Sequence, residues 1–174
     1  MNKENIIHLL TEKEQKLIDW LENQPKENWI KGPEGKWTTG QHVLHLVEAT
    51  KALNKGLSIP KFILSSKFGK TNRAPRDYDV VVKRYHDRLL KSQEVAVAFN
   101  SKLKTPTLSE RKQLIDSLKT QNKKLQNKVK KWSDKNLDTY LLPHPLMGRM
   151  PIREVVMWSA YHIEHHTTTL IEKY

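Results

Sequence analysis

Apolar residues recur every third or fourth position through four long stretches of this chain. No stretch alternates apolar with polar residues between hairpin turns, so the pattern calls for helices packed on helices. From about Asn5 to Asn23, Ile6, Leu10, Leu17 and Leu21 share one side, widened by Ile7, Leu9, Ile18 and Trp20, and the stretch stops before Pro25. A polar loop with Gly32, Pro33 and Gly35 follows. Thr38 is placed to cap a second helix to about Leu57, with Val43, Leu46, Val47, Leu53 and Leu57 inward.

Ser58 to about Asp77 contains Pro60, Gly69 and Pro75 and reads as a long connection with a short helical turn, packed over one end of the bundle through Phe62, Ile63, Leu64 and Phe68. A short helix is expected from Asp79 to about Leu90 through Val82, Tyr85 and Leu89; onward to Lys104, Thr105 and Pro106 no period decides. A further long helix, capped by Ser109, carries Leu114, Leu118, Leu125, Val129 and Trp132 on its inner seam. After a turn region, Leu141 to Gly148, the last helix starts near Pro151, a residue suited to a first helical position, and runs toward Tyr174. The expected fold is an all-α four-helix bundle with a long crossover, residues 1–174 forming one domain.

With no cysteine among 174 residues, disulfides, thiolate ligands and a cysteine nucleophile are excluded, leaving nitrogen and oxygen donors for any metal. The N-terminal residues lack the charged and apolar regions of a signal peptide, and no uncharged apolar run approaches a membrane span, so the expected location is cytoplasmic. The formal charge of +12 favours anionic partners. It is nevertheless spread over Lys61, Lys67, Lys70, Arg73 and Arg76 and then along one lysine-rich helix, with no reading motif beside it, so nucleic-acid binding ranks last.

The histidines are more specific. His162 and His166 stand one turn apart, roughly 80° and 40° from the centre of the last helix's apolar arc, so both reach the interior. Two imidazoles at that spacing can grip one metal ion while a third, from another helix, completes an open site. His165 lies roughly 140° away and is discounted. On the second helix His42 sits nearer the apolar arc, whereas His45 is roughly 140° from its middle beside the small Ala49 and Ala52; periodicity does not choose between them. His144 reads as structural between two prolines, and His8 and His86 as surface or boundary residues. Glu164 points roughly 160° from His166, against a metalloprotease reading. Trp37 and Trp158 read as packing residues that could wall a site.

The run Trp37-Thr38-Thr39-Gly40-Gln41-His42-Val43-Leu44-His45-Leu46 resembles the tryptophan-to-histidine signature of the DinB/YfiT-like superfamily. The stretch from His144 through Gly148 and Glu154 to His166 is similar to its closing motif. The resemblance implies a four-helix bundle in which His45, His162 and His166 bind a divalent metal, zinc or nickel, and in which chains pair as homodimers. It further implies a transferase using a low-molecular-weight thiol against an electrophilic small molecule. The alternatives are a non-catalytic, metal-stabilised bundle with a stress-related role and, last, a nucleic-acid-associated protein. Two positions depart from the pattern: Gln41 stands where an acidic residue is common, and Pro151 where threonine caps the last helix, leaving Glu154 without its capping partner.

Overall fold

The computed structural model describes residues 1–91 and 103–174. Its helices are α1 (Lys3–Asn23), α2 (Thr39–Gly56), α3 (Lys61–Phe68), α4 (Tyr78–Lys91), α5 (Arg111–Lys131), α6 (Asp134–Thr139) and α7 (Ile152–Lys173). Two short strands, β1 (Leu141–His144) and β2 (Gly148–Pro151), pair antiparallel. The long helices α1, α2, α5 and α7 close a ring in which α1 packs on α5 and α7, α2 packs on the same two, and α4 lies against the outside of α7. The fold is all-α apart from the small hairpin. Among the described residues no helix is long and apolar enough to cross a membrane.

The core follows the helical period. Ile6, Leu10, Leu17 and Leu21 of α1, Val43, Leu46, Val47 and Leu53 of α2, Leu118, Leu125 and Val129 of α5, and Ile152, Val156, Ile163 and Leu170 of α7 are all buried. Removing each such side chain from water contributes about 1.5–3 kcal/mol. Where α2 begins, the Thr38 side chain accepts from the Gln41 amide at 3.2 Å while Gln41 Oε1 accepts from the Thr38 amide at 2.9 Å, closing a capping box. Gln41 Nε2 also donates to the Leu103 carbonyl at 3.1 Å. A carboxylate at this position has no proton for that bond. The departure at Gln41 therefore keeps the cap and adds a tie to the chain ahead of α5.

Several local expectations are corrected. Residues 141–151 form a hairpin with Gly148 at φ 73°, not merely a turn, because four-residue strands are too short for alternation to register. Thr107, not Ser109, begins the α5 segment: it forms a capping box with Glu110 through a 3-10 turn, and the Ser109 hydroxyl meets Thr107 Oγ1 at 2.9 Å instead of a backbone amide. Pro151 is the N-cap of α7, with Ile152 the first helical residue. The crossover helix α3 buries Leu64 and half-buries Phe68 but leaves Phe62 and Ile63 exposed, and α4 turns Val81 and Tyr85 inward with Val82 only partly covered. The undecided stretch after α4 falls largely on residues 92–102, outside the described residues.

Glu154, without a cap to complete, ties the crossover down. Its buried carboxylate accepts from both terminal nitrogens of Arg73 at 2.6 and 3.0 Å, from the Arg76 amide at 2.7 Å and from Arg76 Nη1 at 3.2 Å. Burial pushes this carboxyl above its ordinary value while Arg73 pulls it back. A bidentate arginine on a dry carboxylate is the strong form of ion pair, so the crossover is held at one point of α7.

Candidate metal centre

Two helices bring the histidines together. The α7 spacing of four places His162 Nε2 and His166 Nε2 3.0 Å apart, and His45 of α2 sets its Nε2 3.0 Å from that of His162. One nitrogen from each of the three lies within 4.8 Å of the other two, so they could hold one ion. His162 and His166 are buried and His45 is half-buried, so the cluster meets solvent on the α2 side. Trp37 stacks on His166 with centroids 5.9 Å apart and Trp158 on His162 at 4.6 Å, walling the cluster from two directions.

His42 joins the group in a different role. Its Nδ1 is 2.8 Å from His166 Nδ1, and its Nε2 is 3.1 Å from the Tyr174 hydroxyl, which donates to the Trp37 carbonyl. That carbonyl can only accept, so it fixes every proton upstream. The Tyr174 proton goes to Trp37, the hydroxyl oxygen accepts from His42 Nε2, and the bare His42 Nδ1 accepts from His166 Nδ1. His166 Nε2 is then left with an unshared pair aimed at His162.

This ordering requires neutral rings, and burial supplies them. His42 and His45 are lowered to about 4, first by burial and then by neighbouring histidines, and His162 and His166 are held well below their ordinary value for the same reasons. Whichever tautomer His162 adopts, at most one of its two 3.0 Å contacts can be a hydrogen bond, since His166 Nε2 carries no proton. A cation would accept all three electron pairs at once. Nitrogens about 2.0–2.1 Å from a shared tetrahedral zinc stand roughly 3.3 Å apart, close to the 3.0 Å that separates His162 Nε2 from each of the other two. Among the described residues the donor set is three neutral imidazoles with no carboxylate, which fits a divalent transition metal.

The other histidines stay apart. His165 is half-buried against Tyr85 and His166 and lies outside the three-nitrogen group, and His86 pairs with the Tyr161 hydroxyl. His144 Nδ1 accepts from the amides of Leu146 and Met147 at 3.1 and 3.2 Å, holding the hairpin turn, and its ring meets Trp158 edge-on at 4.2 Å. Glu164 faces Lys13 at 3.0 Å and the Tyr78 hydroxyl, away from the cluster. Sequence reasoning weighed His42 as a rival to His45 and missed that both face the site. The signal was present: residues three apart on a helix share a side, so the choice was never exclusive. Nothing local marked Tyr174 as the end of that chain of hydrogen bonds.

No curated protein matches the chain in sequence. The pattern of the DinB superfamily matches residues 9–170, spanning both histidine-bearing helices and nearly all of the bundle between the termini. The chain belongs to the DinB superfamily.

Proposed function

We propose that the protein binds one divalent metal, zinc or nickel, through His45, His162 and His166 and uses it to transfer a low-molecular-weight thiol to an electrophilic small molecule. The observation that carries the metal is the unshared pair on His166 Nε2, fixed by the run of hydrogen bonds back to the Trp37 carbonyl. A metal held by the three neutral nitrogens of His45, His162 and His166 would lower the proton affinity of a thiol or water brought to it.

The residues of the chain hold the parts in place. His42 keeps the His166 ring in the ligating tautomer, and Trp37 and Trp158 exclude water from two sides. The thiol gives up its proton to water, its sulfur bonds to the electrophilic carbon, and the leaving group departs with the electron pair. Without a cysteine the chain offers no thiol of its own, so the thiol is a cosubstrate, and the formal charge of +12 favours an anionic one.

The test is conjugation of glutathione, bacillithiol or mycothiol to a model electrophile by zinc- or nickel-loaded protein. Turnover that disappears in His162→Ala supports the proposal. A second reading has its own support: two of the three ligands are buried and tryptophans wall the cluster on two sides, which suits a metal that ties α2 to α7 without turning over substrate. Under that reading chelation lowers the melting temperature, and no thiol gives turnover.

A further inference from the structure

A second site lies beyond the histidines, where the crossover, α4, the hairpin and the start of α7 meet. A partly enclosed recess of about 120 Å³ is lined there by Arg73, Arg76, Arg84 and Arg149, by Glu154, and by the apolar Val81, Met147 and Met150. Four guanidinium groups face one carboxylate, so three positive charges go unanswered by the lining. The two arginines that pair with Glu154 are Arg73 and Arg76. Arg149 reaches the Phe68 carbonyl through one nitrogen at 3.3 Å, and among the described residues neither Arg149 nor Arg84 has a carboxylate at ion-pairing distance. Val81, Met147 and Met150 are buried and give the recess an apolar floor.

A protein gains no stability by gathering like charges around an apolar floor. Guanidinium groups offer paired N–H donors that match the oxygens of phosphate or carboxylate. We infer that this recess binds the oxyanion group of a small molecule, phosphate or carboxylate, with Arg84 and Arg149 as its principal donors and Glu154 holding Arg73 and Arg76 in place. The volume is far below the roughly 300–1,000 Å³ of a pocket that swallows a whole organic ligand, so the anionic head enters and the remainder stays outside. Glu154 and His162 are eight residues apart on α7, which sets the recess about 12 Å along the helix from the histidine cluster.

The experiment is calorimetric titration of the metal-loaded protein with inorganic phosphate and, separately, with succinate, at constant ionic strength. Saturable binding of either anion is expected, at least tenfold weaker in both Arg84→Gln and Arg149→Gln and unchanged in Lys123→Gln. Saturation by phosphate assigns the head group as phosphate, and saturation by succinate as carboxylate. His162→Ala is expected to retain the binding, which separates this site from any anion held by a metal at the histidines. Both substituted arginines reach solvent, so the variants are expected to melt with the parent protein. Absence of saturable binding for both anions, or binding indifferent to Arg84→Gln and Arg149→Gln, overturns the inference.

Discussion

His42 and His166 meet Nδ1 to Nδ1 at 2.8 Å, and one of those nitrogens must carry the proton. Because Tyr174 spends its own proton on the Trp37 carbonyl, the donor is His166. His42→Ala is therefore expected to weaken zinc affinity about 10- to 100-fold without abolishing binding. In His42→Asn the amide oxygen accepts from His166 and recovers part of the loss. Competition titration against a chromophoric chelator measures both, and equal affinity in His42→Ala and the parent contradicts the assigned order of protons.

Acid should destabilise the metal-free protein within a defined window. Unfolded histidines protonate near 6.5, whereas burial holds His42, His45 and His144 down to about 4 and His162 and His166 well below 6.5. Between those values the unfolded chain binds more protons than the folded one, so this contribution is complete above pH 6.5 and is lost as the pH falls toward 4. Urea midpoints at pH 7.5 and 5.0 in the presence of chelator are expected to differ, the lower belonging to pH 5.0. Equal midpoints contradict the buried, neutral state of these rings.

Glu14 works in the opposite direction. Among the described residues its Oε1, buried on α1, has no hydrogen-bond partner, and Asn122, fully buried on α5, leaves both side-chain polar atoms unpaired. Burial pushes the Glu14 carboxyl up to about 7, against the weaker opposing charges of Lys119 and Lys123. From pH 4.5 to 7 the folded state keeps a proton that the unfolded chain has released, so this group lowers stability as the pH rises and then levels off. Glu14→Gln is expected to match the parent at pH 4 and exceed it at pH 8 by on the order of 1 kcal/mol, a figure reduced for the water that still reaches the side chain. Chemical denaturation at the two pH values checks this, and a variant less stable at pH 8 contradicts it.

Gly40 is confined by Trp29. A Cβ on Gly40 would stand 2.8 Å from Trp29 Cε2 and 2.9 Å from its Nε1, and the indole is pinned by a 2.9 Å hydrogen bond from Nε1 to the Thr107 carbonyl. Gly40→Ala must displace the ring or bend the first turn of α2, at a cost of about 1–3 kcal/mol. A melting temperature equal to that of the parent contradicts the close approach.

The four long helices, their seams and most core positions were legible in the sequence because burial repeats at the helical period, whereas the six-residue α6 (Asp134–Thr139) was too short to show one. Leu118 and Leu125 of α5 needed only their spacing. The hairpin was hidden because its strands are four residues long, and Val81 was misjudged because Val82 beside it is equally apolar and a short helix gives the period little to average over. For the site, the α7 pair followed from its spacing of four. His45 did not, since it lies off the apolar arc of α2, and only the family resemblance singled it out. The recess was invisible for a different reason: Arg73, Arg84 and Arg149 belong to a crossover, a helix and a hairpin, and no one-dimensional pattern joins them.

Elemental analysis of freshly purified protein beside His45→Ala, His162→Ala and His166→Ala addresses the central claim most directly. The account predicts close to one zinc or nickel per chain in the parent and loss of that metal in each variant, with folding preserved by circular dichroism. A parent chain without metal after exposure to either ion, or full occupancy surviving loss of His162, contradicts it.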